Sequence, residues 1–162
     1  MSQQNNKSGD KGIVGESIAK LKLWQNGYNF YSRFLDIDGI DMIARCKDNE
    51  TVYYKEIQVK WSNLFQEGKN KNNPHYWFAI RKKSFEINPN CYFLLICKNE
   101  DDIFIFPVKQ LKEIAEKCSF NAAQEKYDVK IYPRGNSWII KRLSEHGEIE
   151  ISQWYNNFNI IK

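Results

Sequence analysis

Histidine is scarce in this 162-residue chain, which has only His75 and His146, and none of its four cysteines is paired as CxxC. A structural zinc site draws Cys and His ligands from closely spaced pairs, so a zinc ribbon or finger is not expected. Cys46, Cys91 and Cys97 lie within apolar runs and read as reduced core residues of an intracellular protein. Long apolar runs are missing too. The longest, CYFLLIC (91–97), falls far short of the roughly 20 residues that span a bilayer. The start, MSQQNNKSGDKG, is polar and lacks the apolar segment of a signal peptide. These absences predict a soluble, cytoplasmic protein with no membrane partner. The net charge of +4 is compatible with a polyanionic partner but decides nothing alone.

Aromatic residues are plentiful: 10 Phe, 9 Tyr and 5 Trp can anchor a sizeable core. A chain of this length fits one domain and typically buries roughly 70% of its unfolded surface. No internal repeat or domain boundary is evident, so we expect residues 1–11 as a disordered tail and 12–162 as one domain. From Gly12 to Gln25, Val14, Ile18, Leu21 and Trp24 recur at helical spacing. YNFYSRF (28–34), GIDMIARC (39–46) and TVYYKEIQVK (51–60) read as strands, the last two joined as a hairpin by the polar KDNE. Residues 61–75 form a polar connection with little periodicity, the kind of long loop that is often functional or mobile. YWFAI, CYFLLICK and IFIF follow as strands, and Pro107 suits the first turn of a helix carrying Val108, Leu111, Ile114, Ala115 and Cys118. YDVKIY and SWIIKRL read as strands, and 151–161 as a helix capped by Ser152.

The hairpin raises a chemical question, because its apolar strands carry Asp41, Gln58 and Lys60. Buried ionisable groups are costly unless paired, hydrogen-bonded or bound to a metal. Side chains alternate along a strand, so Glu56, Gln58 and Lys60 share a face. A hairpin can bring Asp41 beside them. The resulting carboxylate and amide oxygen suit a hard cation such as Mg²⁺, and a neighbouring ammonium can offset charge developing at phosphorus.

An early helix with Glu16, then GIDMIA, then IQVK, resembles the PD-(D/E)xK nuclease superfamily, in its variant with glutamine in the third motif. That variant includes homing and restriction-type endonucleases, and Holliday-junction resolvases share the core. The resemblance covers Gly12 to about Phe106 and departs from the pattern in placing Ile40 where the family's proline stands. It implies an α/β restriction-endonuclease-like core: a mixed central sheet flanked by helices in the order αβββαβ, with C-terminal additions. It further implies a Mg²⁺-dependent endonuclease hydrolysing phosphodiester bonds in DNA, with Mn²⁺ as a substitute. Residue by residue, Asp41 matches the metal-binding aspartate, Gln58 the acidic position of the third motif and Lys60 its lysine. Glu16 matches the glutamate of the first helix, and the Val59 carbonyl completes the metal shell. Many relatives cut two strands as dimers, so a homodimer is compatible with the resemblance.

Other readings of the same residues stay open. Asp41 and Lys60 also suit a plain cross-strand ion pair. Glu16 sits about 200° around the helix from Val14, where an i,i+4 pair with Lys20 accounts for it nearly as well. Lys69, Lys71, Arg81, Lys82 and Lys83 suit a phosphate-tracking surface as much as an ordinary solvated one. Tyr76 and Trp77 read as core rather than base-stacking residues, and His75 as a loop residue. A catalytically inactive nucleic-acid-binding relative and a structural or protein-interaction module are the alternatives to an enzyme.

Overall fold

The computed structural model describes residues 7–32, 39–65, 74–86, 88–97, 102–141 and 147–161. Helix α1 (Lys7–Gln25) starts five residues before the expected Gly12, so part of the predicted tail is helical. It leads into β1 (Asn29–Ser32), then β2 (Met42–Asp48) and β3 (Thr51–Ser62). Asp48 and Thr51 close the β2–β3 hairpin, with Asn49 at a φ of 50° in its two-residue turn, a conformation asparagine tolerates. β3 is the longest strand described and continues past the predicted Lys60. Part of the expected loop is therefore ordered, as the end of β3 and as β4 (Leu64–Phe65).

β5 (His75–Arg81) comes next, then a 3₁₀ turn (Lys82–Phe85) and β6 (Cys91–Cys97). The expected order αβββαβ begins as predicted. Between β3 and β6, however, the described residues hold strands and this 3₁₀ turn in place of an α-helix. β7 (Ile103–Pro107) precedes α2 (Val108–Ala115), where Pro107 stands at the N-cap. The remainder is β8 (Ser119–Asn121), β9 (Lys126–Arg134), β10 (Ser137–Lys141) and β11 (Glu148–Glu150). Residues 151–161 do not form the single helix the sequence suggests but two 3₁₀ turns, Ser152–Trp154 and Phe158–Ile161. Ser152 Oγ accepts the Trp138 N–H instead of capping a helix. Asn156, at a φ of 47°, exchanges bonds with the Ile103 backbone through its own N–H and Oδ1. Those tertiary bonds replace the ones a continuous helix would make.

The described strands build two sheets. The first, in order β1-β2-β3-β6-β7, is mixed, because β3 and β6 run parallel while its other pairs are antiparallel. The second contains β11-β10-β9-β5-β4 with β8 added beside β9. β6 is buried at every residue, as its uninterrupted apolar sequence requires of a central strand. Its alternate residues serve two cores. Tyr92, Leu94 and Ile96 join Met42, Ile57 and Val59 under Ala19 and Leu23 of α1. Cys91, Phe93 and Leu95 join Phe78, Ile80 and Val129 of the second sheet and Leu111 of α2. The first sheet is thus covered by a helix on one face and chiefly by another sheet on the other. The four cysteines are all buried and free. No described helix is long and apolar enough to cross a membrane.

Candidate active site

The end of the β2–β3 ladder assembles the residues of interest. The register pairs Met42 with Ile57 and Ile43 with Glu56, and β3 runs five residues further while β2 goes no further. Asp41 stands at that opening. Its N–H donates to the Ile57 carbonyl at 3.0 Å, and its Oδ2 accepts the Val59 N–H at 2.5 Å. This short, charge-assisted bond gives a partner to a strand N–H beyond the ladder.

Gly39 and Gln58 are fitted to one another just behind it. The Gln58 side chain is 2% exposed, and its Nε2 donates to the Gly39 carbonyl at 2.5 Å. Gly39 has a φ of 70°, and a Cβ there would lie 2.6 Å from Gln58 Nε2. With Nε2 committed, Oε1 of Gln58 is buried and accepts no hydrogen bond from the described residues. A buried unsatisfied polar atom costs on the order of 1–3 kcal/mol and asks for a reason.

Lys60 lies two residues along β3, half-buried and on the Gln58 face, as alternation requires. Glu56 is on that face too, level with Cys91 of β6. The Cys91 thiol is fully buried, and its pKa is pushed up to about 12. Burial is the main cause and the Glu56 charge comes next. Hydrogen bonds with the Gln58 and Tyr92 backbone oppose the shift, and the Asp41 charge adds to it. Cys91 is therefore a buried, protonated neighbour of Glu56 across the β3–β6 pair.

Glu16 is positioned differently. α1 covers the opposite face of the sheet, meeting β3 where Gly15 lies against Trp61; a Cβ on Gly15 would be 2.9 Å from Trp61 Cβ. Glu16 is thus level with the end of the site, and its carboxylate pairs with Lys20 at 3.8 Å, as the i,i+4 spacing suggested. Among the described residues, no three His, Cys, Asp or Glu side chains gather in one place. Asp41 and Val59 are brought into direct contact, Gln58 and Lys60 flank Val59 on the same strand, and Glu16 lies on the helix across the sheet.

Lys69 and Lys71 lie outside the described residues. Arg81, Lys82 and Lys83 are exposed at the far end of β5, where Arg81 and Lys83 line a 410 Å³ cavity with Gln124, Glu125 and Lys126. His75 is no loop residue: it begins β5, is 2% exposed, and packs between the Phe65 and Tyr132 rings. Alternation splits the neighbouring aromatics, with Tyr76 in the core and Trp77 41% exposed on the outer face. Sequence reasoning missed Gly39 and Cys91 as parts of the site. A glycine opening the strand-like GIDMIARC was the one available signal for the first; none existed for the second.

No protein-family model matches the chain, and neither does any curated protein. Its structure is similar to that of a bacterial homing endonuclease, I-Ssp6803I, with a TM-score of 0.62. The match covers 96% of this chain and 93% of that one at 11% sequence identity. Likeness at that identity is likeness of fold, and the chain shares the fold of that structure.

Proposed function

We propose that the chain is a metal-dependent endonuclease that hydrolyses phosphodiester bonds in DNA. The observation that carries this reading is the Gln58 amide oxygen, buried without a hydrogen-bond partner among the described residues, one position along β3 from the Val59 N–H that the Asp41 carboxylate accepts. Two such oxygens suit Mg²⁺, which takes few protein ligands and keeps several waters. The Val59 carbonyl would add a third. A strand residue's N–H and C=O leave on one edge, so this carbonyl turns to the side from which Asp41 takes the N–H. Glu16 would approach from α1 by giving up its pairing with Lys20. When bound, the ion would polarise a phosphoryl oxygen and make an attacking water more acidic.

The remaining roles belong to the protein. Lys60 would hold the attacking water by a hydrogen bond and offset negative charge gathering on the phosphoryl oxygens. Asp41 would keep that water in line with the scissile bond, while Gly39 fixes which way the Gln58 amide points. Glutamine in place of a carboxylate leaves the site one charge poorer, so its hold on the cation would lean on substrate phosphate. The fold shared with a homing endonuclease supports a DNA substrate. A second subunit would let two such sites cut both strands.

Incubating the protein with plasmid, junction and single-stranded DNA, with and without Mg²⁺ or Mn²⁺, tests this directly. Lys60→Ala and Asp41→Ala should each abolish cleavage with DNA affinity nearly unchanged, since one contact among several is a small share of binding. Gln58→Glu should shift cleavage to lower Mg²⁺ concentration. Equal cleavage by the parent and Lys60→Ala would defeat the mechanism. One observation favours a second reading, a binding relative without cleavage: the Asp41 carboxylate already serves the backbone as the end of a ladder. That reading predicts no metal-dependent cleavage and a loss of stability in Asp41→Ala.

A further inference from the structure

The outer face of the second sheet carries an aromatic cluster that the catalytic reading leaves unused. Phe65 of β4 and His75 of β5 are direct partners, with rings stacked at 6.2 Å. Trp77 meets Phe65 edge-on at 5.8 Å, and His75 meets Tyr132 of β9 at 5.1 Å. His75 and Tyr132 are buried beneath, while Phe65 and Trp77 are each 41% exposed. Two large rings thus present surface to solvent above a buried aromatic base.

The charges around them include several cations, with Glu148 of β11 standing opposite Lys141 of β10. Trp77 is paired across the ladder with Lys130, and Arg81 lies further along the same face of β5. Lys141 of β10 sits 4.7 Å over the Tyr132 ring. The acidic residue on β9, Asp128, has its Oδ1 occupied by the Trp77 indole N–H at 2.9 Å, which fixes the ring's orientation. Exposed rings amid cations are what an unstacked nucleobase and its phosphate require. A continuous duplex offers phosphates and groove edges but no base faces, so it leaves such rings unused.

The strand that carries Trp77 is tied through a backbone N–H to the strand that carries the proposed site. The Trp77 backbone N–H donates to Ser62 Oγ at 3.0 Å, and Ser62 lies two residues beyond Lys60 on the same strand face. That is a spacing of about 7 Å along β3.

We infer that Phe65 and Trp77 form a stacking platform for unpaired bases of a nucleic-acid strand lying next to the cleavage site. The inference rests on the nuclease reading for its placement and deepens it: the substrate is DNA carrying unpaired nucleotides beside the scissile phosphate.

Binding tests it without catalysis. In EDTA, the parent, Trp77→Ala, Phe65→Ala and Trp77→Phe are titrated with labelled oligo(dT) and with a blunt hairpin duplex of matched length. The parent should bind oligo(dT) with an affinity that weakens with salt. Trp77→Ala should weaken oligo(dT) binding by roughly 5- to 100-fold, with Phe65→Ala smaller in the same direction. Duplex affinity should stay within about twofold. Trp77→Phe loses the bond to Asp128 but keeps a ring, so it should retain most of the oligo(dT) affinity; a merely structural role for Trp77 would make it fail like the alanine variant. Equal losses on both probes, no loss on either, or self-association removed by Trp77→Ala would each overturn the platform. Ring-dependent oligo(dT) binding without cleavage by the parent would sink the nuclease reading alone. Cleavage by a parent whose oligo(dT) binding ignores both rings would sink only the platform.

Discussion

Gly39 and Gln58 work as one device, although nineteen positions separate them in the chain. A methyl group on Gly39 meets two obstacles. A φ of 70° is strained for any residue with a Cβ, by roughly 1–2 kcal/mol. The new carbon would also crowd Gln58 Nε2, whose own bond holds it against Gly39. Gly39→Ala should therefore destabilise the protein by about 1–3 kcal/mol in urea titration. Because the crowding involves Gln58, Gly39→Ala and Gln58→Ala should not add. A coupling above about 0.5 kcal/mol in the double-mutant cycle is expected, and strict additivity would mean the two residues do not meet. Cleavage should fall in Gly39→Ala even where the protein remains folded, because the amide oxygen loses its fixed direction.

Among the elements, β3 organises the site and α1 holds it from behind. β3 pairs with β2 over its first half, with β6 over its second, and reaches the second sheet through Ser62. The change of partner along one strand leaves the opening that Asp41 fills. α1 crosses β3 at Gly15 and Trp61. Glycine inside a helix is usually a weakness, and alanine there gains up to about 1 kcal/mol. Here the sign should reverse. A Cβ 2.9 Å from Trp61 Cβ cannot be relieved by rotating a side chain, since Trp61 Cβ is fixed to its backbone. Overpacking of this kind typically costs 1–3 kcal/mol, so Gly15→Ala should lower stability by about 1–2 kcal/mol net. Denaturant midpoints decide it: a stabilised variant would show that the helix is free to back away from the sheet.

At the scale of the whole molecule, the two cores bury groups that must stay protonated. The Tyr28 and Tyr76 phenols are pushed from 10.0 to about 12, chiefly by burial, and Tyr28 OH donates to the Phe158 carbonyl at 2.7 Å. The Cys91 thiol rises from 9.0 to about 12, again chiefly by burial, and Cys97 is also raised. These acids hold their protons in the folded state at pH values where the unfolded chain releases them. Unfolding then releases protons, and stability falls as pH rises. Their contribution is complete below about pH 9 and is lost progressively between about pH 9 and 12. Urea midpoints should be level from pH 7 to 8.5 with respect to these groups, then drop steeply by pH 10.5. A flat profile to pH 11 would mean that the phenols and thiols reach solvent.

Much of the framework was legible before any coordinates. Helical spacing marked α1 and α2, and apolar runs marked β6 and β7, because periodicity and burial are local consequences of residue order. Alternation alone put Gln58 and Lys60 on one face. Where the prediction departed from the structure, the missing information was non-local. Residues 151–161 carry a helical pattern, yet Ser152 and Asn156 bond to Trp138 and Ile103, residues that are remote in sequence. Tyr76 and Trp77 look alike as a pair, and only the placement of the second sheet decided which ring is covered. His75 is buried because Phe65 and Tyr132 close over it. The sequence by itself determined the site's residue types and strand face, through the two-residue period of a strand. The tertiary structure decided their contacts: where β2 stops sets what Asp41 binds, and the carbonyl of a left-handed glycine sets which atom of Gln58 is left over.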